Sequence, residues 1–119
     1  MIDVASLVAL CNAILSGKKV VAEIRGMAFS SEEKELLIEA AESGKFQLMA
    51  VAQFQGTWVR AGRKDFLDRN DPATAARYLE AFRRLCERGL IVHEGGKLFM
   101  LTGTGFQKAR ELREKVKEE

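Results

Sequence analysis

The strongest constraint on this chain lies between Asp71 and Phe106, where chain breakers and apolar runs alternate in an order that few folds accept. Asp71-Pro72 opens a long helical pattern, with aspartate as the cap and proline in the first turn, where its missing amide costs nothing. Ala75, Tyr78, Leu79, Phe82, Leu85 and Cys86 recur at helical spacing along one face, and Gly89 supplies the stop. Ile91–Glu94 then reads as a strand, Gly95-Gly96 as a tight turn and Lys97–Leu101 as the returning strand, with Glu94 facing Lys97 across the turn. Thr102 or Thr104 caps a last helix whose Phe106, Ala109, Leu112 and Val116 face inward. Lys115 and Lys117 lie near the negative end of its dipole.

Upstream, Val4, Leu7, Val8, Cys11, Ile14 and Leu15 predict a helix over 3–16, stopped at Gly17. Residues 18–29 fit either a short helix or a strand, with helix the favoured reading. Ser30 and Glu33 form a capping box, and Leu36, Leu37, Ala40 and Ala41 make an apolar stripe that Gly44 closes, so a helix is expected over about 31–43. From Phe46 to Phe54 alternate residues are apolar, and Gln55-Gly56 can turn this run into Thr57–Arg60 as a hairpin. Residues 61–70 have only Phe66 and Leu67 as large apolar side chains and read as a loop, or one helical turn at most. The expected fold class is α+β, with an N-terminal helical segment over 1–29 and the main domain over 30–119.

Bulk properties narrow the function. At 119 residues the chain suits one core, and a formal net charge of +2 does not by itself imply a polyanionic partner. Charge is uneven, however. Residues 1–45 hold five basic and seven acidic side chains, whereas residues 60–88 hold eight basic and five acidic. Cys11 and Cys86 stand far apart in apolar helical contexts and read as buried thiols of a cytoplasmic protein, although a disulfide is conceivable. The apolar start has no basic leader and is interrupted by Asp3 and Asn12, which argues against a signal peptide or a membrane span. A single histidine cannot serve a catalytic relay, no phosphate loop or nucleophile elbow is present, and no Cys/His set has metal-ligand spacing. Asp65, Asp68 and Asp71 are offset by Arg63, Lys64 and Arg69, so no enzyme, metal or cofactor is expected.

Residues 30–119 resemble the winged helix-turn-helix domains of small bacterial regulators, such as the MarR and PadR types. The resemblance rests on Leu85-Cys86-Glu87-Arg88-Gly89-Leu90-Ile91, the short glycine wing, and Leu101-Thr102 leading to Gly105. The same pattern is similar to winged-helix-like segments in bacterial proteins of unassigned function. The resemblance implies a fold of winged-helix type with an extra N-terminal helical segment and an additional β-hairpin before the long helix. It further implies that the helix ending at Gly89 lies in a DNA major groove with the wing tip against the backbone.

Carried onto this chain, the contacting face would hold Thr74, Arg77, Ala81, Arg84 and Arg88. Arg60, Arg63 and Lys64 would extend the positive surface, with His93 and Lys97 from the wing. Arginine's planar fork suits phosphate oxygens and guanine edges. The expected protein is then a double-stranded-DNA-binding regulator, dimeric through its N-terminal helix. Against this stand the near-neutral wing, Glu80 and Glu87 on the exposed side of the long helix, and no convincing helix immediately before it. Those features suit a second function class, a winged-helix module that binds protein and not nucleic acid.

Overall fold

The computed structural model describes residues 4–15, 29–49, 57–68 and 70–118. They form an α+β fold in the order α1 (Val4–Leu15), α2 (Ser31–Ala40), β1 (Lys45–Met49), β2 (Trp58–Ala61), β3 (Lys64–Phe66), α3 (Pro72–Glu87), β4 (Ile91–Gly95), β5 (Leu98–Leu101) and α4 (Gly103–Glu118). The five strands make one antiparallel sheet in the order β3-β2-β1-β5-β4. The ambiguous stretch over 18–28, Ala50, Ala52 and Phe54, and the Gln55-Gly56 turn lie outside the described residues.

Local chemistry explains most of these elements. The Ser30–Glu33 capping box is present: the Glu33 amide donates to Ser30 Oγ at 3.2 Å and the Ser30 amide to Glu33 Oε1 at 3.3 Å. Asp71 caps α3 by accepting from the Ala73 amide at 3.1 Å. Thr102, not Thr104, caps α4. Its Oγ accepts from the Gly105 amide at 3.1 Å and donates to the Gly89 carbonyl at 3.0 Å, tying the start of α4 to the end of α3. Gly105 allows that closeness, because a Cβ there would sit 2.2 Å from the Leu90 carbonyl oxygen.

Residues 61–70 differ from expectation. Lys64–Phe66 is a strand, paired with β2 through Val59–Phe66, Arg60–Asp65 and Ala61–Lys64. Gly62, at φ +60°, makes the turn possible, and its amide donates to the Lys45 carbonyl at 3.0 Å. The run has too few apolar residues to show a strand period. Its order comes from Phe66 turned into the core and Asp65 gripped by β2.

In the core, Phe82 of α3 stands edge-on to Phe46 and Phe99 of the sheet, with ring centroids 5.3 Å apart in both pairs. Phe46, Leu48, Val59, Ala61, Phe66, Ile91, Phe99 and Leu101 form the inward sheet face. Leu7 and Cys11 of α1 are fully buried in the same cluster, and α1 packs on α3 and β4. The N-terminal helix thus covers this chain's own core. No described helix is long and apolar enough to cross a membrane.

Candidate interaction surface

The nine residues singled out as nucleic-acid contacts occupy separate places in the fold. Thr74, Arg77 and Arg84 lie on the outer face of α3 as expected, with Arg77 and Arg84 exposed. Arg88 does not. Its side chain is 5% exposed, and its Nε donates at 2.8 Å to Oε2 of Glu33, itself 2% exposed. The guanidinium also stacks 4.3 Å over the Phe29 ring. Ala81, assigned to the same outer stripe, is buried as well. The reason is tertiary: α2 packs against α3, and its first turn covers Ala81 and Arg88.

Arg60 is on the opposite side of the sheet. Its neighbours Val59 and Ala61 point into the core beneath α3, so strand alternation turns Arg60 to the far face. There it grips Asp65 with two hydrogen bonds, of 2.8 and 3.0 Å, and the Trp58 indole donates to the same carboxylate at 3.1 Å. The Arg60 hydrogen bond, helped by that of Trp58, holds the Asp65 carboxyl below the usual range against the opposing effect of burial. The same bond pushes Arg60 up.

Arg63 lies in the β2–β3 turn and Lys64 opens β3, both at the end of the sheet where Lys45 starts β1. The wing tip is at the other end of β1, where the Leu48 amide donates to the Lys97 carbonyl at 3.0 Å. These two basic spots thus lie at opposite ends of β1, with Arg60 on the far face of the sheet between them. Within the wing, His93 pairs with Phe99. Its Nε2 donates to the Gly96 carbonyl at 2.9 Å, and its ring lies 5.0 Å from that of Phe99. A bulge between His93 and Gly95 takes Glu94 out of the ladder, so Glu94 and Lys97 are not a ladder pair. The turn falls on Gly96-Lys97, with Gly95 the last residue of β4 and not, as expected, part of the turn, and residues 94–97 are exposed.

The α3 face and the first turn of α2 beside it together bring as many carboxylates as arginines to this side. Arg77 lies 4.0 Å from Glu32, Arg84 lies 4.0 Å from Glu80, and Arg83 bonds both Glu80 and Glu87. The Arg83 hydrogen bond lowers the Glu80 carboxyl, and that of Glu80 raises Arg83. Away from this stripe, near the N-terminal end of α3, Tyr78 packs against Phe66 and donates to Glu35 of α2, which pushes the phenol up to about 12. Between α3 and the first turn of α2 runs an open groove of about 420 Å³. Ala73, Ala76 and Ala81 form its small-residue lining, with Glu32, Arg77, Glu80 and Arg84 as its charged members. Glu32, Ala73 and Ala76 were not apparent as surface-forming residues. The helical period of α3 marks Ala73 and Ala76 as outward-facing, but nothing local to Glu32 says which helix it meets.

Among the described residues no group of three or more His, Cys, Asp or Glu side chains could hold a metal ion. Comparison of the chain with protein-family models, curated proteins and solved structures returned no match in any of the three.

Proposed function

We propose that this chain is a winged-helix-type module that docks a protein segment and does not read nucleic acid. The observation that carries this reading is the charge balance along α3 and the adjoining first turn of α2: three arginines stand against Glu32, Glu80 and Glu87. A duplex approaching that face meets carboxylates as often as guanidinium groups, and the counterion release that drives DNA binding is largely forfeited. A protein segment with charges of both signs meets the same face favourably, because the exposed Arg77 and Arg84 can exchange partners at small cost. The alanine-lined groove is the place on α3 where such a segment comes closest to the helix.

A second reading, a dimeric regulator that binds double-stranded DNA as the resemblance implies, keeps two observations in its favour: the wing tip is exposed, and Arg77 is 59% exposed. Fluorescence anisotropy on a random duplex at two salt concentrations separates the two readings. The docking reading expects no salt-dependent binding at low salt. Binding whose log K falls with log salt at a slope near −3.6, as about four neutralised phosphates require, and which weakens in Arg77→Ala/Arg84→Ala, would establish the DNA reading instead.

A further inference from the structure

Along the outer face of α3, Arg77, Glu80, Arg84 and Glu87 form a row. Their spacings of three, four and three residues keep them on one stripe of the helix. The signs alternate, and the row is symmetric in spacing about Phe82 but opposite in sign. Read backwards, it has the same spacings with every charge reversed. Such a row is complementary to itself turned end for end, which is the condition for a two-fold contact between identical chains. Taking this face as the docking face, we propose that its occupant is α3 of a second copy of this chain, laid antiparallel with the two-fold axis at the level of Phe82.

In that register Glu80 of each copy faces Arg84 of the other and Arg77 faces Glu87, giving four opposite-charge pairs across the axis. Arg83 falls opposite Ala81, so no like charges meet. Sliding one helix by three residues would instead set Arg77 against Arg84, so repulsion fixes the register as well as attraction. The row is within reach of a second chain. The side chains of Arg77, Glu80 and Arg84 are 59%, 41% and 52% exposed, and Glu87, at 16%, keeps an edge to solvent. Arg77 and Arg84 lie 4.0 Å from Glu32 and Glu80 of their own chain, beyond hydrogen-bond length, so each can turn outward. Arg83 takes Oε1 of Glu80 and Oε1 of Glu87, which leaves Oε2 of each to accept from the second copy. Ala73 and Ala76, exposed beside the row, add no bulk to hold the second helix away. A contact built of exposed ion pairs over small residues is reversible and weakens with salt.

Sedimentation velocity of the full-length chain over a range of concentrations should show a reversible dimer at low salt that dissociates as salt rises. Glu80→Arg and Arg84→Glu should each weaken self-association about tenfold or more, because each sets two like-charge pairs beside the axis. An equimolar mixture of the two variants should recover a dimer of native affinity, since every central pair is again opposite in sign. A native chain that stays monomeric at low salt, variants that associate as tightly as the native chain, or a mixture that stays monomeric overturns the proposal. So does a native dimer that holds or tightens as salt rises, a measurement that decides even where a variant folds poorly. None of these results touches the docking reading, which falls instead on salt-dependent duplex binding that weakens in Arg77→Ala/Arg84→Ala.

Discussion

Arg84 and Arg88 stand one helical turn apart near the end of α3, each opposite a glutamate. The side chain of Arg84 is 52% exposed, with Glu80 at 4.0 Å, whereas that of Arg88 is 5% exposed, with Glu33 at 2.8 Å. The two pairs are chemically alike and physically unlike. Water screens the Arg84–Glu80 pair, so it holds little energy and either member can turn to a partner. The Arg88–Glu33 pair has lost its water and depends on its own geometry. Glu33 serves it with one oxygen while the other closes the cap of α2, and Phe29 covers the guanidinium. The burial imposed by α2 therefore turns one arginine into a fastening of the fold and leaves the other on the surface. A face proposed for recognition must be judged by which of its charges can still be re-paired.

That contrast can be broken by substitutions of graded burial. The largest loss is expected for Glu33→Ala, which strands the Arg88 charge in the interior and uncaps α2. Removing one member of a buried pair costs about 3–5 kcal/mol, to be read from the shift of the urea midpoint. Arg88→Lys should fall short of that loss but remain clearly destabilising, because lysine keeps the charge and loses the planar contact with Phe29. A melting temperature equal to that of the unmodified chain would show that charge alone matters at this joint.

The Arg60–Asp65 pair, 39% and 32% exposed, is an intermediate case. The Asp65 carboxyl is depressed in the folded chain, so its contribution is present above the unfolded value of about 3.9 and is lost as pH falls through the folded value. Trp58 is the only tryptophan and donates to this carboxylate. Its emission should change over that acidic window, and Asp65→Asn should remove the change. The smallest effect is expected for Arg84→Ala, about 0.5 kcal/mol or less by thermal denaturation. A loss comparable to that of Glu33→Ala would mean that the exposed pair is part of the fold's fastening, which would undercut its role in docking.

Elements whose cause is local were legible in the sequence. Ser30 with Glu33 and Asp71 with Pro72 each satisfy backbone within a few residues, so the pattern shows them without reference to distant chain. The glycine turn of the last hairpin was legible too, though it falls on Gly96-Lys97 and not Gly95-Gly96. Lys64–Phe66 was not legible as a strand, because its order depends on pairing with β2 and on Arg60 and Trp58 holding Asp65. The candidate surface was legible in part. Helical spacing grouped Arg77, Ala81, Arg84 and Arg88, and the group was then divided by a helix whose sequence lies some forty residues earlier.

Composition, caps and apolar period thus established an α+β chain with a long helix, a glycine-tipped hairpin and a closing helix, since backbone hydrogen bonding and side-chain periodicity act over short stretches. The burial of Arg88, the turning of Arg60 to the far sheet face, and the separation of Lys64 from Lys97 arose only on assembly. Each depends on which surfaces two distant segments remove from water, and that information belongs to their contact and not to either stretch of sequence.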